Sequence, residues 1–129
     1  MRKRLRRGVA GVLLGVTLLG TTAFAYSGSF SFEVAPGQGE IGTGKWVKRT
    51  KSQKYADIDV KSFSGVGVDL YVKNYNYNRV SDIANVTGTG QKSVYYRSSV
   101  IEKADYQLFA APSYSNPYRV TVVQGTWQP

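Results

Sequence analysis

Beyond residue 27, apolar side chains recur at every second position far more often than at every third or fourth, and Gly, Asn, Ser and Pro cut the chain into short runs. In the first run Phe30, Phe32 and Val34 alternate with Ser29, Ser31 and Glu33 until Pro36-Gly37 ends it. A glycine-rich loop over residues 38–44 precedes a second expected strand over 45–50. A third, over 54–63, sets Ala56, Ile58 and Val60 on one face and Tyr55, Asp57, Asp59 and Lys61 on the other. After a turn at Ser64-Gly65, residues 66–73 read as the cleanest half-buried strand, with Val66, Val68, Leu70 and Val72 opposite Asp69, Tyr71 and Lys73.

Residues 74–90 are less regular, mixing Asn and Tyr before the turn cluster Thr87-Gly88-Thr89-Gly90, and leave room for one more short strand. Residues 92–98 alternate Val94 and Tyr96 against Tyr95 and Arg97. A strand follows over 106–111, then a loop over 112–117. A closing strand over 118–127 places Tyr118, Val120 and Val122 on one side. About seven or eight strands without a helical segment predict an all-β fold, a two-sheet antiparallel sandwich, with a small closed barrel as the alternative.

The N-terminal stretch breaks this pattern. Arg2, Lys3, Arg4, Arg6 and Arg7 form a basic start, residues 9–19 an apolar run, and Ala23-Phe24-Ala25 a small-x-small site, the layout of a secretory signal peptide cleaved before Tyr26. Residues 1–25 are therefore expected to be a leader and 26–129 a single all-β domain, secreted and either free or attached to the cell surface. The alternative, a membrane anchor, has only 17 residues between Val9 and Ala25, interrupted by glycines and threonines, against the ~20 that a spanning helix wants. No stable membrane span is expected after cleavage.

Charge and composition then narrow the chemistry. The formal charge is +9 from 17 basic and 8 acidic residues. Five of the basic residues lie in the leader and no acidic one does, so the remaining domain carries 12 against 8, or +4. That density disfavours nucleic acid as a partner. Cysteine and histidine are both absent, which excludes disulfides, thiolate or imidazole metal ligation, and Ser-His or Cys-His nucleophile systems. Neither a metal nor a cofactor is expected, and the chain is not expected to be an enzyme. Export without cysteine, behind a long basic leader, suggests a Gram-positive source.

Four patterns imitate functional motifs. Gly37-x-Gly39-x-x-Gly42 has dinucleotide-binding spacing, and Gly39-x-x-x-x-Gly44-Lys45 has most of a P-loop. Trp46 stands where the P-loop needs Ser or Thr for Mg²⁺, and a strand-like run follows where both motifs need a helix, so no nucleotide is expected. Asp57 and Asp59, ~6.6 Å apart on one strand face, approach the spacing of an inverting glycosidase pair. Lys54 and Lys61 beside them favour ionised carboxylates on a solvated face. Asn85-Val86-Thr87 is a glycosylation sequon that matters only in a eukaryotic secretory pathway.

The constellation with most chemical content is Tyr71-Val-Lys73-Asn-Tyr75-Asn-Tyr77-Asn-Arg79. Extended, it sets Tyr71, Lys73, Tyr75, Tyr77 and Arg79 on the face opposite Val68, Leu70 and Val72. Rings beside cations suit stacked sugar rings carrying anionic groups, or single-stranded nucleic acid. The competing reading makes residues 74–78 a turn, with the tyrosines lying over the sandwich edge.

The closing Tyr118-Arg-Val-Thr-Val-Val-Gln-Gly125-Thr-Trp127-Gln-Pro129, after the Lys103-Ala-Asp-Tyr-Gln-Leu108 entry, resembles small secreted proteins of Gram-positive bacteria. In general plan the chain is similar to uncharacterised β-sandwich proteins of that kind and to bacteriocins of the lactococcin 972 type. The resemblance implies a leader followed by a cysteine-free, Gly/Tyr/Asn-rich β domain and transfers no functional residue. Two functions follow as expectations. One is a non-catalytic secreted domain that binds a cell-envelope polymer or a protein partner. The other is a bacteriocin-like antimicrobial or toxin acting on a component of a target cell's surface.

Overall fold

The computed structural model describes residues 27–50, 53–97, 104–113 and 119–129. The expected leader, its cleavage before Tyr26, and the position of Tyr118 on the last strand lie outside these residues. Among the described residues there is no helix, and nine strands form two antiparallel sheets. They are β1 (Gly28–Val34), β2 (Ile41–Gly42), β3 (Val47–Lys48), β4 (Tyr55–Ser64), β5 (Val68–Asn74), β6 (Ala84–Val86), β7 (Gly90–Tyr95), β8 (Asp105–Pro112) and β9 (Thr121–Gln128).

The first sheet runs β1-β9-β4-β7, and the second runs β2-β8-β5-β6, with β3 also paired to β8. Neither sheet closes, which answers the barrel alternative in favour of a sandwich-like arrangement. One hydrophobic cluster joins the two: Phe30, Phe32, Ile58, Val60, Val94, Val123 and Trp127 from the first sheet meet Val68, Leu70, Val72, Val86 and Leu108 from the second. Complete burial of each such aliphatic side chain contributes roughly 1.5–3 kcal/mol. Gly65 makes the passage from β4 to β5 with φ 130°, a conformation other residues rarely adopt, and a Cβ there would stand 2.6 Å from Thr121 Oγ1.

The period-two reading matches β1 and β4, where the expected residues are the buried ones. It fails in instructive places. The expected loop over 38–44 contains β2, because Ile41 and Gly42 pair with Ala110 and Phe109 of β8. The expected strand over 45–50 shrinks to Val47–Lys48, held opposite Tyr106 and Asp105. Val66 is exposed and precedes β5.

On β9 the side shared by Val120 and Val122 proves to be the outer one: Val120 is 45% exposed, and the buried positions are Thr121, Val123 and Trp127. The whole strand decides its phase. The parity carrying Val122 also carries Gln124, Thr126 and Gln128, whereas the other carries the indole of Trp127, so the far half outweighs the near one. Thr121 is accommodated inside by donating its hydroxyl to the Gly67 carbonyl at 3.1 Å.

Candidate binding surface

The outward face of the second sheet is not a bare polar surface. Tyr71 of β5 and Phe109 of β8 are register partners, and their rings stack with centroids 6.3 Å apart and planes 13° from parallel. Tyr71 is buried although its neighbours Leu70 and Val72 point into the core, so β5 is covered on both faces. The cover includes Glu40, at the entry to β2, whose carboxylate accepts hydrogen bonds from the Tyr71 hydroxyl and the Lys73 ammonium. The Lys73 nitrogen lies 4.8 Å from the centre of the Phe109 ring, a cation–π contact.

β2 comes this close because Gly42 has no side chain. A Cβ there would overlap Gln107 Oε1 and stand 2.8 Å from the Phe109 ring. Gln107 uses the same oxygen to accept from the Gly44 amide at 2.8 Å. The glycine loop that imitated a phosphate-binding motif is thus a fitted edge of this face. It leads into β3, and no helix offers its N-terminus to a phosphate among the described residues.

Electrostatics inside the cluster are coupled. Burial opposes ionisation of Glu40, but the hydrogen bonds from Lys73 and Tyr71 and the charge of Lys73 outweigh it and hold the carboxyl below its ordinary range. Burial first, and the Glu40 carboxylate second, push the Tyr71 phenol above its ordinary range.

Of the two readings of residues 74–78, the extended run and the turn, the turn is the one formed. Asn74 Oδ1 accepts from the amides of Asn76 and Asn78, both at 3.0 Å, the Asn74 amide donates to the Asn78 carbonyl at 2.9 Å, and the Tyr77 amide donates to the Asn74 carbonyl at 2.9 Å. Asparagine's short amide closes such turns. Tyr77 takes φ 61°, a left-handed conformation that costs a bulky residue on the order of 1–2 kcal/mol.

The turn gathers an aromatic row. Trp46, just before β3, has ring centroids 4.9 Å from Tyr75 and 5.5 Å from Tyr77, and Tyr77 stands edge-on to Phe109 at 6.2 Å. Tyr75 and Tyr77 nevertheless remain 64% and 57% exposed, so the row Tyr75–Trp46–Tyr77 meets solvent. Arg79 returns beside Lys73 through an antiparallel bridge, and its Nη1 donates to the Ser81 carbonyl at 3.1 Å. A shallow depression of ≈ 430 Å³ lies between the row and these cations, lined by Glu40, Tyr71, Lys73, Tyr77 and Arg79 among others.

All five residues singled out from sequence therefore border one surface, but a turn brings them there rather than an extended strand. Lys73 is already paired with Glu40, which leaves Arg79 as the more available cation of the two. Trp46, Phe109 and Glu40 were missed. The signal for Phe109 was a run, Tyr106 to Ala110, apolar at both parities apart from Gln107, as on a strand covered on both faces. Trp46 was read only as the residue that spoils a P-loop.

The outward face of the first sheet is different in kind. Ser29, Thr126, Asp59 and Gln91 form one row across it, and Gln128, Asp57 and Ser93 the next. Tyr55 and Tyr95 pair at one end with centroids 5.4 Å apart. Asp59 bonds Lys61 at 3.0 Å, and Asp57 accepts from Gln53 Nε2 at 3.1 Å. The sequon residue Asn85 lies on β6 of the second sheet and donates to Asp69 Oδ1 and Ser113 Oγ. No group of three or more potential metal ligands occurs among the described residues, and no helix there is long and apolar enough to cross a membrane.

No protein-family model, curated protein or solved structure matches the chain.

Proposed function

We propose that this protein is a secreted, non-catalytic binding domain whose ligand is an anionic polymer of the cell envelope, held on the aromatic row of Trp46, Tyr75 and Tyr77 beside Arg79. The observation that carries the reading is the exposure of that row. Tyr75 and Tyr77, both more than half exposed, stand on a turn whose hydrogen bonds leave their rings free, and each contacts the ring of Trp46. Such rings offer flat faces to sugar rings, as they do to bases in single strands, and an adjacent guanidinium favours bidentate contact with carboxylate or phosphate substituents.

Sedimentation with purified cell-wall sacculi tests this. The parent protein is expected to pellet, and less of it should do so as salt rises, because screening weakens the cationic share and leaves stacking intact. Tyr75→Ala and Tyr77→Ala should each weaken binding by roughly 1–3 kcal/mol. Arg79→Gln should flatten the salt dependence more than Lys73→Gln, since Lys73 is neutralised by Glu40. Absence of sedimentation at any salt concentration would refute the proposal.

A further inference from the structure

Behind Trp46 lies a cleft of ≈ 230 Å³, formed by Ser27, Gly28 and Ser29 of the first sheet's edge, by Thr43, Lys45 and Val47, and by the two indoles of Trp46 and Trp127. Trp127 is only 2% exposed, and its indole Nε1 has no hydrogen-bond partner among the described residues. An indole N–H is a donor only, and leaving it unmade in a dry site is costly. It borders the wall formed by Gly28: a Cβ on that residue would stand 3.0 Å from Trp127 Nε1 and 2.9 Å from Val47 Cγ2. A side chain on residue 28 would crowd both.

The chemistry of the walls specifies the guest. It must bring an acceptor to Nε1 and an apolar group to Val47 and the Trp46 ring. Lys45 is exposed and hydrated, so it offers a buried carboxylate only a solvent-screened counter-charge, and a neutral carbonyl fits better. The volume is below the ~300–1,000 Å³ of sites for whole drug-sized ligands, so it suits one substituent of a larger molecule. Trp46 belongs to both the exposed row and the cleft, so a chain stacked on the row carries its substituents past the cleft's mouth.

We infer that the cleft receives the acetamido group of an N-acetylated amino sugar, whose carbonyl accepts from Trp127 Nε1 while its methyl packs on Val47 and Trp46. The inference rests on the polymer-binding reading above and names the sugar class.

The two tryptophans give two indole N–H signals, which Trp46→Phe assigns in a ¹⁵N-labelled sample of the protein as recovered from expressing cells. Triacetylchitotriose is expected to shift the Trp127 signal and to bind about tenfold more tightly than cellotriose, the discrimination typical of one hydrogen bond in a dry site. Gly28→Ala should abolish that preference while cellotriose affinity stays within about twofold. Should the alanine prevent folding, the titration of the parent protein still decides. Equal affinity for the two trisaccharides, or an unmoved Trp127 signal, overturns the inference even if sacculi are bound. A shifted Trp127 signal with no binding to sacculi supports the cleft and refutes the polymer as ligand.

Discussion

The two outward faces of this sandwich share a backbone architecture and differ in almost everything else. On the first sheet, short hydroxyl, amide and carboxylate side chains stand in rows, and the face is little more than the solvated back of the core. On the second, Tyr71 and Phe109 stack across two strands, Glu40 and Lys73 seal them, and Trp46, Tyr75 and Tyr77 extend the rings to the edge. Period-two patterning decides which side of a strand points inward. What covers the other side is decided by loops, here the glycine segment before β3 and the asparagine turn after β5.

Paired substitutions on the two faces should expose the contrast first in stability. Phe109→Ala removes a buried ring from the second face and is expected to cost about 3–5 kcal/mol. Thr126→Ala on the first face, where the residue is exposed, should cost no more than about 0.5 kcal/mol. Denaturant unfolding of both variants measures the difference, and similar midpoints would mean that the second face is as superficial as the first.

A smaller effect separates binding from folding within the second face. Tyr77 holds its left-handed φ at a cost that asparagine largely avoids. Tyr77→Asn should therefore leave stability unchanged or raise it by up to ~1 kcal/mol while weakening attachment to sacculi. If instead it destabilises by several kcal/mol, the ring is a packing element and not a binding one.

The smallest effect is in pH. The Glu40 carboxyl lies below its ordinary 4.5 in the folded chain, so its contribution is present above that value and lost as acid brings the pH down through the folded pKa. The Tyr71 phenol is raised above its ordinary 10.0, so its contribution holds below that value and fades as the pH climbs beyond it. Melting curves of Glu40→Gln should fall less steeply than those of the parent below pH 4.5, and Tyr71→Phe should do the same above pH 10.0.

How far the sequence disclosed these faces depends on the range of the interaction. Phe30, Phe32 and Val34 were legible because a seven-residue alternation needs only its own strand. The inward side of β9 was not legible at its start, where Val120, Val122 and Val123 fall on both parities, and Trp127 at its end decides it. A bulge in the β4–β9 pairing between Val60 and Ser62 shifts which residues of β4 face inward beyond it, and nothing in the local sequence marks the place. At the candidate site, the alternation of tyrosine with asparagine is compatible with an extended run and with a turn, and the side chain of Asn74 decides for the turn. Glu40 stayed hidden because it reaches Tyr71 across 31 positions, and no pattern in a single chain advertises such a partner.

The place of β9 has a consequence for how the molecule comes into being. This strand, Thr121–Gln128, lies between β1 and β4, so until it is synthesised the first sheet lacks its middle and Phe30, Phe32 and Ile58 lack their neighbour. Pairings of such long sequence separation close late and slowly. Were the chain exported as proposed, the first sheet would stay incomplete until this last strand had followed the rest of the chain, so it could close only after passage.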